Sequence, residues 1–227
     1  MSEPNDFGSA RPATLAELCA IAETFPPRTL GALALDGFQA LDLWGPLEVF
    51  GDCRPAIRPV LVGVDNSPVH AAQGPRVVPD FSLETAPRLD LLLVPGGDVR
   101  QHAGDLDLRQ WLRQRAEDAE LVMTVCNGAD LLASTGLLDG RRATTTKALF
   151  GSIAAAHPGV RWVSRARWVE DGKFVTSSGV AAGIDMALSV VAHMAGERVA
   201  AGLANHLEYP RHRDSGFDPF ARIHGLE

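Results

Sequence analysis

A parallel β-sheet covered by helices on both faces is the fold this 227-residue sequence predicts. Three observations predict it. Apolar runs alternate with segments whose apolar residues recur every three or four positions, the order expected of strand–helix–strand units. The predicted strands are continuously apolar, as strands buried on both sides are. Breaks rich in Gly, Pro and Asn close several of them, at Asp36-Gly37, Pro95-Gly96-Gly97 and Asn127-Gly128.

Taken in order, residues 1–28 read as an extension. Met1 to Pro12 has the composition of a disordered segment, and Thr14 is placed to cap a short helix over Leu15, Leu18, Cys19, Ile21 and Ala22 that packs on the domain surface or across a subunit interface. The domain proper spans 29–210. Thr29 to Leu35 predicts its first strand. Ala40 to Phe50 predicts a helix with Pro46 early in it, where a missing N–H costs little. Ile57 to Val64, Arg76 to Pro79, Leu89 to Val94 and Leu121 to Val125 predict further strands. Leu106 to Glu117 and Asn127 to Thr135 predict helices beside them. Beyond Gly136–Gly140, Ala148 to Ala156 reads as helix, and Arg161 to Val163 and Ala166 to Glu170 as strands. Asp171-Gly172 reads as a hairpin turn into Lys173 to Thr176. Helices over Ala181 to Ala195 and Glu197 to Leu207 end the domain, and the tail 211–227 has no clear period.

Composition narrows the function. Apolar residues make up 46% and charged residues 22%, a globular balance with a net charge of −7. That charge argues against nucleic acid as a main partner, which would need a basic face. Cys19, Cys53 and Cys126 are too few for a disulfide framework and lack metal-ligand spacing. No run approaches the ~18 apolar residues of a membrane span, and Met1 to Pro12 lacks the features of a signal peptide. The expectation is a soluble cytoplasmic protein acting on a small molecule, without metal or cofactor. The histidines of the tail (206, 212, 224) with Asp214 fit no metal motif and read as surface.

The chemistry concentrates at Val125-Cys126-Asn127-Gly128, a buried strand that ends on a cysteine and turns sharply into a helix. Gly-x-Ser-x-Gly is the serine form of this elbow. A helix N-terminus favours the thiolate, so Cys126 is the predicted nucleophile. In a parallel sheet, ligands bind outside the carboxyl ends of the strands, and three loops are predicted to meet there: Asp36 to Gly45, Pro95 to Gly97, and Cys126 to Gly128. Gly96 and Gly97 would offer unobstructed N–H groups which, with that of Asn127, stabilise developing charge. Asp42 would be the acid/base, its pKa raised by burial beside a thiolate. Trp44 reads as a pocket wall or a core residue. Asp185 reads as a buried structural partner, and Glu48 as a solvated charge.

At these residues the chain resembles the ThiJ/PfpI superfamily, over about Thr29 to Tyr209. The carriers are Leu41-Asp42-Leu43-Trp44-Gly45-Pro46, Leu93 to Gly97, Val125 to Ala129, Gly136 to Thr145 and Ser178 to Ala187. The resemblance is nearest to its isocyanide (isonitrile) hydratase branch. It implies a flavodoxin-like three-layer sandwich, class I glutamine-amidotransferase-like, and usually a homodimer. It also implies a mechanism: the elbow cysteine, here Cys126, attacks the terminal isocyanide carbon to give a thioimidate, and an aspartate, here Asp42, handles the proton and the water. An N-substituted formamide results. Gly96, Gly97, Asn127, Gly128, Trp44 and Thr146 fall at oxyanion or substrate positions. Two residues depart from the pattern. Thr146 stands where many members carry a histidine that pairs with the cysteine, and Asn127 where the hydratases carry threonine.

Two other functions compete. One is a glyoxalase or deglycase using Cys126 on 2-oxoaldehydes. The other is a stand-alone redox or ligand sensor, since an activated cysteine also oxidises readily. Relatives of this domain also form the N-terminal half of AraC-type regulators. That role requires a helix-turn-helix module of about 100 residues after the domain, and the sequence ends at Glu227, which disfavours it.

Overall fold

The computed structural model describes residues 11–102 and 104–226. The expected disorder of Met1 to Pro12 therefore lies almost wholly outside the described residues. The strands are β1 (Arg28–Leu33), β2 (Ile57–Gly63), β3 (Val69–His70), β4 (Arg76–Val77), β5 (Phe81–Ser82), β6 (Leu91–Val94), β7 (Leu121–Thr124), β8 (Arg142–Ala143), β9 (Arg161–Trp162), β10 (Trp168–Asp171) and β11 (Phe174–Ser177). The helices are α1 (Leu15–Ala22), α2 (Ala40–Gly51), α3 (Leu106–Asp118), α4 (Gly128–Ala133), α5 (Phe150–Ala156), α6 (Ala182–Ala195), α7 (Glu197–His206) and α8 (Phe220–Ile223).

Seven strands form the central sheet in the order β10-β11-β7-β6-β1-β2-β5. All its pairings are parallel except β10–β11, the hairpin turned at Asp171-Gly172. The chain begins in the interior at β1, runs outward through β2 and β5, then returns to β6 and runs the other way through β7 and β11. Strand order therefore reverses between β1 and β6. Loops leaving a parallel sheet on either side of such a reversal open a crevice at its carboxyl edge.

Alternation along each strand divides the core. Leu30 and Ala32 of β1 and Leu91 and Leu93 of β6 face Leu43, Leu47 and Phe50 of α2, Met186 and Val190 of α6 and Leu203 of α7. Leu33, Leu92 and Val94 face the other way, toward Leu108, Trp111 and Leu112 of α3 and Leu131 and Leu132 of α4. Burying each such leucine contributes roughly 1.5–3 kcal/mol. A capping box at Thr14 and Glu17 starts α1, which packs on α7. There the Ala13 N–H donates to the Arg198 carbonyl, and Glu17 pairs with Arg198.

Several expectations need correction. Arg76 to Pro79 is not a strand of the main sheet: only Arg76–Val77 is extended, pairing with β3 in a separate hairpin. Phe81–Ser82, unmarked in the sequence, forms the sheet edge instead. Pro46 lies well inside α2, so the carbonyl four residues back, that of Asp42, loses its usual helical donor. The elbow helix begins at Gly128 and lasts six residues. The tail carries α8 and buries Asp218 and Ala221. No helix among the described residues is long and apolar enough to cross a membrane.

Candidate active site

The carboxyl ends of β1, β6, β7 and β11 deliver the site. After β7 the chain turns at Cys126, whose φ of 58° places a non-glycine residue in the left-handed region. Such strain costs on the order of 1–3 kcal/mol and persists only where neighbours enforce it. Three do. The Val125 N–H donates to the Val94 carbonyl and the Cys126 N–H to the Ser178 carbonyl, while the Thr145 hydroxyl donates to the Cys126 carbonyl at 2.8 Å. Gly128 allows the turn, because a Cβ there would lie 2.2 Å from the Val94 carbonyl oxygen.

Asp42 reaches the elbow from the first turn of α2 and has no exposed surface. Its Oδ2 accepts the Gly96 N–H at 3.0 Å. Its Oδ1 is buried with no donor at hydrogen-bonding geometry among the described residues, and the Cys126 thiol is the side chain that couples to its protonation. Burial raises the Asp42 pKa to about 7, against the lowering effect of the Gly96 N–H and the thiol.

The thiol itself departs from expectation. Burial first, and the Asp42 charge second, push Cys126 up to about 12. The Thr146 hydroxyl and the N–H groups of Asn127 and Val180 pull it down, but not far enough. A six-residue helix has too few aligned peptides to outweigh desolvation. The resting pair at neutral pH is thus a thiol beside a carboxyl near its midpoint.

The glycines also differ from the prediction. Neither offers a free N–H to substrate: that of Gly96 is held by Asp42, and that of Gly97 donates to Asn127 Oδ1 at 2.8 Å. Asn127 Nδ2 donates back to the Gly97 carbonyl at 2.7 Å. The carboxamide therefore spans the Gly97 backbone and fastens the β6 loop to the elbow with one donor and one acceptor. Gly96 is required sterically, since a Cβ would meet Asn127 Oδ1 at 2.2 Å and Asp42 Oδ2 at 2.8 Å. The β1 loop closes against them through the Gln39 N–H to the Gly96 carbonyl.

Asp42, Gly96, Gly97, Cys126, Asn127, Gly128 and Thr146 are thus brought together. Trp44 is not: two residues beyond Asp42 on α2 it faces away, 44% exposed, in a groove with Leu47, Glu48, Arg54 and Pro59. Glu48 is exposed, as expected. Asp185 is buried in an ion pair with Arg167 at 2.7 Å. Sequence reasoning missed Val180 and Thr145. Val180, at φ 44°, follows the β11 carboxyl end, and the Ser177-Ser178-Gly179 break there was the available signal. No group of three or more His, Cys, Asp or Glu residues among those described is arranged to hold a metal.

The sequence profile of the DJ-1/PfpI family matches residues 29–193, most of the chain and the whole of this site. The chain belongs to the DJ-1/PfpI family. Among DJ-1/PfpI relatives, an isonitrile hydratase of Pseudomonas putida is 35% identical over 184 residues, covering 79% of this chain and 78% of the relative. A transcriptional regulator of Pseudomonas aeruginosa, GbdR, is 28% identical over 83% of this chain but only 52% of its own length. The crystal structure of a ThiJ/PfpI family protein from Pseudomonas syringae superposes with a TM-score of 0.77 at 26% identity, covering 89% of this chain and 86% of that one.

Proposed function

We propose that this DJ-1/PfpI member is a cysteine-dependent hydratase that adds water to small isonitriles and releases N-substituted formamides. The observation that carries the proposal is the Cys126–Asp42 pair: a thiol and a fully buried carboxyl whose midpoint lies near 7, with no histidine among the groups that set the thiol's protonation. The isonitrile hydratase relative supports the same reading.

The pair suits the reaction because an isonitrile needs both a nucleophile and a proton at one carbon. The Asp42 carboxylate takes the thiol proton as the Cys126 sulfur bonds to the terminal carbon. It then gives that proton to the same carbon, leaving a thioimidate, R–N=CH–S–Cys126. Water adds to the thioimidate carbon with Asp42 as base, and the C–S bond breaks to give the formamide R–NH–CHO and the thiol. One water is consumed, and Asp42 ends as it began. A base matched to working pH serves both directions of proton transfer. The N–H groups of Asn127 and Val180 and the Thr146 hydroxyl stabilise the sulfur as it gains and releases charge.

A redox sensor fits less well, because oxidation proceeds through the thiolate and Cys126 is held as the thiol. The test is to offer purified protein an aromatic isonitrile and, separately, methylglyoxal. Formamide formation lost in both Cys126→Ala and Asp42→Asn supports the proposal. Turnover of methylglyoxal alone, or formamide formation that survives Cys126→Ala, overturns it.

A further inference from the structure

Next to the elbow lies a buried cluster of charge that the proposed chemistry does not use. The Lys147 ammonium, 2% exposed, donates to Thr144 Oγ1 at 3.0 Å and to the Ala166 carbonyl at 2.6 Å. It faces Asp218 Oδ2 at 4.0 Å. Arg167 bridges Asp218, at 3.8 Å, and Asp185, at 2.7 Å. Two cations thus meet two anions, and Tyr209 donates to Asp185. Burial draws Lys147 down to about 8, while Asp218 favours its charge and Arg167 opposes it.

Asp218 comes from the C-terminal segment, which is strapped to the strand region before β10. The Arg167 N–H donates to the Ser215 carbonyl, and the Asp218 N–H to the Arg165 carbonyl at 2.7 Å. On its other side, Lys147 directly follows a run of three threonines that all point to work at or beside the elbow. Thr144 is fixed by Lys147, by the Val163 carbonyl and by Thr176. Thr145 holds the Cys126 carbonyl at 2.8 Å, and the Thr146 hydroxyl favours charge on the Cys126 sulfur.

We infer that Lys147 and Asp218 are positioning residues. Through Thr144 they hold Thr145 and Thr146 against Cys126, so the C-terminal segment controls the reactivity of the thiol. The inference rests on Cys126 being the reactive group of the site. A buried ion cluster contributes little net stability compared with apolar replacements, and its best-attested use is to specify geometry. The groups that face the sulfur are Asp42 from α2, Asn127 from the elbow, Thr146, and Val180 after β11. Lys147 and Asp218 touch none of the reacting atoms and act through the threonines.

The test is the pH dependence of alkylation at Cys126 by iodoacetamide, read by peptide mass spectrometry so that Cys19 and Cys53 do not contribute. It needs no substrate, so it stands whether or not isonitriles are turned over. Losing the Thr146 donor removes a hydrogen bond to a charged sulfur, which amounts to about a tenfold slower alkylation at a given pH. Lys147→Met is expected to show that slowing and Asp218→Asn the same direction. The charge-neutral double variant Lys147→Met/Asp218→Asn is expected to slow no further than Lys147→Met alone. In a Thr146→Val background the substitutions at 147 and 218 should lose most of their effect, leaving only what passes through Thr145. Where a single variant fails to fold, the double variant carries the test. A folded Lys147→Met or double variant with the wild-type profile overturns the inference, as does an undiminished effect in the Thr146→Val background.

Discussion

Asp42 carries, at the residue scale, the stability cost of the group that the proposed reaction uses. An acid whose pKa is raised on folding is ionised more readily in the unfolded chain. It therefore destabilises the fold as pH climbs from its ordinary value, 3.8, to its native midpoint near 7, and the penalty is constant above that. At about 1.4 kcal/mol per pH unit the penalty is on the order of 4 kcal/mol. Asn keeps the acceptor for the Gly96 N–H without the charge. Asp42→Asn is therefore expected to melt several degrees above wild type at pH 8, with the gap closing toward pH 4. A variant no more stable than wild type at pH 8 would contradict the buried-charge argument. The same midpoint sets the activity profile. In the proposed mechanism the carboxylate accepts the thiol proton, so turnover should fall tenfold per pH unit below about 7. With the thiol near 12, it should show no alkaline decline before pH 10.

At the scale of elements, the site depends on loops fastened to one another rather than on any one of them. The Asn127 carboxamide joins the elbow to the β6 loop with two hydrogen bonds. Removing it leaves the Gly97 N–H and carbonyl without their partner, at roughly 1–3 kcal/mol. Asn127→Ala should lower stability by that amount in denaturant unfolding and lower kcat more than it raises KM. A methyl at 96 collides with both Asn127 and Asp42, so Gly96→Ala should displace them and cost on the order of a hundredfold in kcat/KM. The elbow and the Pro95-Gly96-Gly97 break were legible because each is a local pattern: an apolar run, a breaker, a reactive side chain. What was not legible is how the N–H groups are shared out. That Gly96 serves Asp42 and Gly97 serves Asn127 depends on residues 54 and 30 positions apart along the chain. Trp44 misled for a related reason: adjacency to Asp42 in sequence places it on the opposite side of a helix.

Across the whole molecule, the reversal of strand order between β1 and β6 is what assembles the crevice. Alternating apolar runs and helices predicted a parallel sheet, and apolar continuity predicted its burial, so the architecture could be read from the sequence. Edge elements could not, because two-residue strands such as β4 and β5 carry no period and are set by what they lie against. The tail misled most. Its lack of period hid the buried carboxylate of Asp218, which ties the C-terminal segment to the core through charge. The central claim is that Cys126 and Asp42 add water to an isonitrile through a covalent thioimidate. Rapid mixing of protein with an aromatic isonitrile, followed by intact-mass spectrometry, tests it most directly. The expected result is a transient adduct at Cys126 heavier by one whole isonitrile, decaying as formamide appears, and absent from Cys126→Ala. Formamide released with no adduct at any time, or an adduct that never discharges, would contradict it.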